Sequence, residues 1–238
     1  RLDTLADLAK TRNKVPTQME FVDIAGLVKG ACQGEGLGNQ FLGHIRQVDA
    51  ILHVVRCFED ENIVHVDGSI DPIRDLEVIS MELIMADLDT VNKRLKKAAS
   101  QAKSGDKQYI AEAAFLEKLQ GILDDGQPAR MLEAESEQQQ EVLRDLCLLT
   151  TKPVLYVANV SEEDLANGND FTQRLEQTAA QEGASVVTIA GAIEQELSLL
   201  DDEEQQEFLS EMGLEEPGLH RLIRAGYDLL GLITYFTV

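Results

Sequence analysis

The sequence predicts an α/β fold with a mostly parallel β-sheet and an inserted antiparallel helical hairpin. Short apolar runs rich in β-branched residues alternate along the chain with longer segments of helical periodicity, which is the pattern of a parallel sheet covered by helices. Residues 58–153 separate two of these runs, far more than the roughly ten or twelve residues that one crossover helix requires. We therefore expect a structured insertion between two strands.

Four strands are predicted, and each is a run of apolar residues of the kind that is buried on both faces of a parallel sheet. They cover residues 19–24, 51–57, 154–158 and 185–189. After the last of them the chain is acidic and helical through Met212, and an amphipathic helix is expected over residues 219–229. The sequence ends on a further apolar, strand-like run at residues 232–236.

The insertion reads as two helices joined by a polar turn. Apolar residues spaced by four, three and four positions predict a long helix that begins near Asp71, and they are Ile84, Leu88, Val91 and Leu95. Gly105 interrupts this pattern, and a second apolar series follows at residues 115–123. We place the helical insert at residues 89–136, between the two parts of the α/β domain at residues 1–88 and 137–238.

Composition excludes several classes of protein. No apolar run approaches the roughly 20 residues that cross a bilayer, and no signal peptide is recognised, so a cytoplasmic protein without a membrane partner is expected. Three widely spaced cysteines indicate neither a disulfide framework nor a zinc site. The net charge of -22 repels nucleic-acid phosphates, so direct nucleic-acid binding by this segment is not expected.

Asp23 and Gly26 form an Asp-x-x-Gly motif at the end of the first predicted strand. In P-loop NTPases an acid in this position holds Mg²⁺, commonly through water, and the glycine brings its backbone N–H close to the γ-phosphate. Both residues are candidate catalytic residues, and Asp23 is the candidate metal ligand. The motif alone is weak, since a strand-ending turn has the same pattern.

The segment after this motif is dense in glycine. Gly30, Gly34, Gly36 and Gly38 lie close together, which predicts a mobile loop that becomes ordered against a ligand. A flexible surface loop without a ligand is the alternative. A dinucleotide-binding fingerprint fits less well, because the spacing differs and the loop does not pass directly from strand to helix.

A second motif follows the strand at residues 154–158. Ligands bind at the carboxyl ends of strands in open α/β sheets, and here the strand is followed by Asn159, Val160, Ser161 and Glu162. GTPases carry Asn-Lys-x-Asp in this place, and the Asp accepts two hydrogen bonds from guanine. Because the Lys and the Asp are both absent, the sequence predicts an altered choice of base.

These motifs, together with the segments 20–30, 34–39, 53–58 and 155–160, resemble the Obg-like ATPase (YchF) family over essentially the whole chain. The resemblance implies an ATPase of the P-loop NTPase fold with a G-domain-like sheet. It implies that ATP and Mg²⁺ are ligands and that the ribosome is a partner. It also implies nucleotide-binding roles for Asn159, Val160 and Glu162, with the backbone carbonyl of Val160 accepting from the adenine amino group, and for the loop of Ala190, Gly191 and Ala192 behind the base.

Leu27 occupies the position in which many GTPases have a water-orienting Gln. The resemblance implies a hydrophobic-substituted NTPase, in which leucine replaces that glutamine. A leucine cannot polarise water, so we expect slow basal hydrolysis and a water-positioning group supplied by other means.

The sequence contains no GxxxxGK[ST] phosphate-binding loop. By resemblance this loop lies upstream of Arg1 and a C-terminal TGS domain lies downstream, so we expect a part of a longer protein that does not hydrolyse ATP by itself. The missing first strand would lie centrally in the sheet. Two alternatives are an Obg-like GTPase and a non-enzymatic interaction module that uses the helical arm.

Overall fold

The computed structural model describes residues 2–11, 15, 17–24, 37–63 and 68–235, which form an α/β fold. The described strands are β1 (Ile51–Arg56), β2 (Val154–Asn159) and β3 (Ser185–Ile189). The described helices are α1 (Leu2–Ala9), α2 (Leu37–Gln47), α3 (Pro72–Ala102), α4 (Lys107–Asp124), α5 (Glu137–Leu146), α6 (Asp170–Glu182), α7 (Gly191–Leu197), α8 (Asp202–Glu211) and α9 (Gly218–Leu229). A short 3-10 helix, Ala129–Met131, follows α4.

The sheet consists of three parallel strands in the order β1-β2-β3. β2 is central and its residues Leu155 to Ala158 are buried, which explains its continuous apolar sequence. The main core lies between this sheet and the helices that cover it, with Tyr156, Leu175 and Ile193 among its buried side chains. The predicted α/β class and its parallel sheet are therefore confirmed.

Helices α3 and α4 form the predicted antiparallel hairpin. Asp71 caps α3 by accepting hydrogen bonds from the backbone N–H groups of Ile73 and Arg74, and Gly105 makes the turn in a left-handed conformation at φ 83°. The predicted boundary between residues 88 and 89 lies inside α3, which continues through it without a break. We call the unit of α3, α4 and α5 the helical arm, because α5 packs in the same apolar core as the hairpin.

A buried carboxylate joins the helical arm to the segment that precedes β2. Asp87 on α3 is fully buried, and its Oδ1 accepts from the N–H of Leu149 at 2.8 Å. Its Oδ2 accepts from the N–H and from the hydroxyl of Thr150, both at 2.7 Å. The hydroxyl oxygen of Thr150 in turn accepts from the N–H of Ala129 at 2.9 Å, so three parts of the chain meet at one point. Burial raises the pKa of Asp87, and the bonds from Thr150 and Leu149 oppose that rise.

The strand predicted at residues 19–24 was wrong, since residues 17–24 have no strand structure. A strand exists only where its backbone pairs with a neighbour, and here an open cavity of about 2050 Å³ lies between this segment and the edge of β1 that no described strand pairs with. Phe21, Asp23, His53 and Val54 are among the residues that line it. The run at residues 232–235 is likewise not a strand, and residue 236 lies outside the described residues.

Across the part of the chain that the structure describes, no helix combines the length and the apolar composition that crossing a membrane requires. The longest helix, α3, carries many charged side chains along its 31 residues. Its amphipathic pattern is explained by packing within the helical arm.

Candidate functional site

The carboxyl ends of all three strands meet around Asn159. This residue ends β2, and its side-chain Oδ1 accepts from the N–H of Gly191 at 2.9 Å. Its backbone carbonyl accepts from the N–H of Cys57, just beyond β1, at 2.7 Å. The N–H of Val160 donates to the carbonyl of Ile189, the last residue of β3, at 2.9 Å. The predicted site residues Asn159, Val160 and Gly191 are thus brought together at the edge of the sheet where ligands bind.

The loop of Ala190, Gly191 and Ala192 is held tightly against Asn159. Ala190 is buried and precedes α7, whereas Ala192 is exposed. A Cβ added to Gly191 would lie 3.3 Å from Asn159 Oδ1, which is closer than most Cβ atoms come to a neighbouring atom. Glycine therefore allows the backbone N–H to reach Asn159.

Val160 and Glu162 differ in what they can offer a ligand. The side chain of Val160 packs in the main core and the residue is only 4% exposed, so this side chain is not available to a ligand. Glu162 is exposed, and its backbone carbonyl accepts from the N–H of Leu165 at 3.2 Å. The carboxylate of Glu162 therefore lies at the surface, two residues from the buried side chain of Val160.

Two side chains that sequence reasoning missed support this loop. Asp164 Oδ2 accepts from the hydroxyl of Ser161 at 2.9 Å and from Asn169 Nδ2 at 2.7 Å. Asn169 Nδ2 also donates to the carbonyl of Cys57 at 2.8 Å, and Asn169 caps α6 in a reciprocal capping box with Thr172. The Asn-x-x-Thr spacing before a helical pattern was the available signal for this cap.

The predicted phosphate and metal residues are described only in part. Asp23 is exposed and lines the cavity beside β1. Gly38 lies in the first turn of α2 and not in a loop. The other candidates lie outside the described residues, namely Gly26, Leu27, Gly30, Gly34 and Gly36.

The side chains around Asp23 decide which metal ion it could hold. Within the described ranges no group of three or more His, Cys, Asp or Glu side chains could hold a metal ion. Mg²⁺ commonly takes one or two protein carboxylates and completes its shell with water and substrate phosphates. A single exposed carboxylate such as Asp23 fits that donor set.

A polar cluster beneath the sheet joins β2, α6 and the end of the hairpin. Glu182 Oε2 accepts from the hydroxyl of Tyr156 at 2.8 Å and from Arg130 Nη2 at 2.7 Å. Burial raises the pKa of Tyr156, and its hydrogen bond to Glu182 adds to the rise. The ring of His53 lies 5.8 Å from that of Tyr156, and burial lowers the pKa of His53 to about 4. The histidine is therefore neutral at physiological pH.

Cys57 lies beside the site but is not a reactive thiol. It is fully buried, and burial raises the pKa of its thiol to about 12. Thiolate is the nucleophilic form, and almost none exists at neutral pH with such a pKa. Cys57 contributes through its backbone: its N–H donates to the carbonyl of Asn159, and its carbonyl accepts from Asn169 Nδ2.

Known proteins resemble this chain in sequence and in structure. Residues 6–110 match a family model described as a 50S ribosome-binding GTPase. A protein of Bacillus subtilis (strain 168) is 51% identical over 239 residues and one of Escherichia coli O157:H7 is 52% identical over 237 residues, and both are named ribosome-binding ATPase YchF. Each match covers all of this chain and 65% of the relative.

The structure of the Schizosaccharomyces pombe YchF GTPase superposes with a TM-score of 0.83 at 36% identity, and the match covers all of this chain and 65% of that one. The chain thus spans about two thirds of the length of the proteins that it matches. The parallel sheet, the junction at Asn159 and sequence identity of about half across the whole chain lead to one conclusion: the chain belongs to the YchF family and has the fold of a P-loop GTPase.

Proposed function

We propose that this chain is the nucleotide-binding part of a cytoplasmic protein that binds ATP with Mg²⁺, hydrolyses it slowly and acts at the ribosome. The observation that carries the proposal is the junction in which Asn159 Oδ1 accepts from the N–H of Gly191. It builds the base-binding corner of a P-loop NTPase from a sequence that lacks the guanine-reading Lys and Asp. The names of the relatives support an ATPase that binds ribosomes.

The chemistry of the two bases favours adenine. Adenine presents an amino group where guanine presents a carbonyl oxygen. The backbone carbonyl of Val160 is an acceptor, so it complements the amino group and opposes the oxygen. Glu162 extends one methylene further than the Asp of GTPases, so it does not reproduce the paired acceptor geometry that guanine needs.

The roles on the phosphate side follow from residue chemistry. Asp23 would hold Mg²⁺ through water, and the metal would neutralise charge on the transferring phosphoryl group. Gly26 would bring its N–H to the γ-phosphate. Leu27 offers no polar atom to orient the attacking water, which accounts for slow hydrolysis and for the need of another water-positioning group.

Ribosome association is proposed from the relatives and not from the charge of this segment. A net charge of -22 disfavours direct contact with RNA phosphates, so protein surfaces are the more suitable ribosomal contacts. The helical arm is the element that projects from the sheet domain's core, and an interaction role for it is compatible with an active nucleotide site.

Base preference tests the proposal. In the full-length protein we expect calorimetric titration to give tighter binding of ATP than of GTP. The variant Asn159→Ala loses the acceptor for Gly191 and should weaken ATP binding about tenfold, whereas Asn159→Asp keeps an acceptor and should weaken it less. Asn167→Ala, at an exposed position of the same loop, is the control and should bind as the parent does.

Each other outcome points to an alternative. Tighter binding of GTP would identify an Obg-like GTPase. Absence of binding to either nucleotide, in a protein that contains its phosphate-binding loop, would favour a non-enzymatic interaction module.

A further inference from the structure

The amino end of α9 is held by a side chain from another helix. Pro217 is the residue that caps α9, and it has no side-chain hydrogen bond to offer. Glu194 of α7 takes that role: its Oε1 accepts from the N–H of Gly218 at 2.7 Å and its Oε2 accepts from the N–H of Leu219 at 3.0 Å. A carboxylate is favoured here because the first N–H groups of a helix are unpaired and carry partial positive charge.

The same glycine contacts both sides of the proposed base loop. A Cβ added to Gly218 would lie 2.8 Å from Glu194 Oε1 and 3.0 Å from Cγ2 of Ile189. Ile189 directly precedes the loop at residues 190–192, and Glu194 follows it within the first turn of α7. The start of α9 therefore rests against the two residues that bracket this loop.

Two turns further on, α9 contacts the segment that carries Asp23. A Cβ added to Gly226 would lie 3.0 Å from Sδ and 3.3 Å from Cε of Met19. Gly218 and Gly226 are the buried residues of α9, and the helix also packs against β2 and β3. Met19 precedes Asp23 by four positions in a segment without strand pairing among the described residues.

We propose that Glu194 is a positioning residue that couples the base loop, through α9, to the segment of residues 17–24. Movement of the loop on base binding displaces the carboxylate of Glu194, and with it the amino end of α9. The helix transmits the displacement as a rigid body to Met19 and so to Asp23. The inference rests on the proposed function, because it takes residues 190–192 as the loop behind the base.

A purely structural role for Glu194 makes a different prediction. Loss of a helix cap lowers the fraction of folded protein, so it would reduce the apparent affinities for all ligands by the same factor. A coupling role affects ligands that carry a base and spares ligands that do not. The two roles are separated by probes with and without the base.

The test uses the full-length protein with ¹³C-labelled methionine methyl groups, and Met19→Leu identifies the Met19 signal. Adenosine, which carries the base without phosphates, should shift the Met19 signal in the parent. In Glu194→Ala at saturating adenosine the shift should be lost. Affinity for ATP should fall about tenfold, while affinity for tripolyphosphate should stay the same. Glu194→Gln keeps one acceptor and should give an intermediate result.

Glu196→Ala, at an exposed position of α7, is the matched control and should behave as the parent. A Met19 signal that does not respond to saturating adenosine in the parent would overturn the coupling, and so would an equal shift in Glu194→Ala. Equal loss of affinity for ATP and for tripolyphosphate would also overturn it in favour of a structural role. Failure of the parent to bind ATP at all would instead count against the proposed function.

Discussion

At Gly191 the backbone N–H donates to Asn159 Oδ1, and an added Cβ would lie 3.3 Å from the same oxygen. We expect Gly191→Ala to push Asn159 aside and to lower the affinity for ATP about three- to tenfold in the full-length protein. Gly121→Ala is the control, because nothing lies within 4 Å of its added Cβ and it lies inside α4. It should leave ATP binding unchanged and raise the free energy of unfolding by up to about 1 kcal/mol. Equal nucleotide affinity in both variants would contradict the prediction.

The residues at the junction around Asn159 could be predicted where they belong to a sequence motif. Asn159 and Gly191 follow predicted strands, and their meeting is a consequence of parallel strand ends sharing one edge. Asp164 and Asn169 were not predictable as partners, because their hydrogen bonds depend on the path of a loop that sequence spacing does not fix. The burial of the Val160 side chain also needed the structure.

Among the elements, α3 has one buried carboxylate, Asp87, that bonds the chain just before β2. Asp87→Ala would leave the N–H groups of Leu149 and Thr150 without their acceptor, and we expect a loss of about 2–4 kcal/mol in the free energy of unfolding. Asp89→Ala is the matched control on the same helix, where an exposed salt bridge to Lys93 contributes less than about 1 kcal/mol. Urea unfolding of both variants measures the difference. Similar losses in the two variants would show that Asp87 does not anchor the helical arm.

The elements differ in how far the sequence predicts them. The helical hairpin was predictable, because its apolar period and its polar turn are local properties. The segment at residues 19–24 has the composition of a strand, yet pairing is a property of two segments and no described strand lies beside it. Likewise, nothing in the sequence of α5 shows that it packs in the helical arm.

For the molecule as a whole, His53 makes stability depend on pH. Its pKa is about 4 in the folded chain, below the ordinary value of 6.5, so the unfolded chain binds the proton more readily between these values. The stabilising effect of neutral His53 is present above pH 6.5 and is lost as the pH falls towards 4. His53→Phe keeps a ring beside Tyr156. Over that pH range its free energy of unfolding should fall by about 1–3 kcal/mol less than that of the parent.

Urea unfolding midpoints between about pH 7 and pH 4 measure this difference, and carboxylates that titrate in the same range are common to both proteins. His220→Gln, at an exposed position of α9, is the control and should follow the parent. A parallel loss in His53→Phe and in the parent would contradict the assignment.

The fold class could be predicted for the whole molecule, because alternation of strand and helix patterns decides it. The boundary between the α/β domain and the helical insert could not be predicted in the same way. The boundary expected between residues 88 and 89 falls within one continuous helix, whose carboxyl-terminal half packs in the helical arm while Leu76 belongs to the core beside the sheet. Residues that share a helix are thus divided between two cores by packing alone.

Asp87 also lies at the midpoint of α3, with 15 positions to Pro72 and 15 to Ala102, so its buried hydrogen bonds hold the helix at its centre. Each half of α3 is about 22 Å long, so a rotation of the helix by about 10° at Asp87 would carry each of its ends through about 4 Å. The near end is tied to the sheet domain, where Arg174 of α6 donates to Asp71. Such a rotation would separate Asp71 from Arg174 and withdraw Leu76 from the core beside the sheet, so these contacts oppose it.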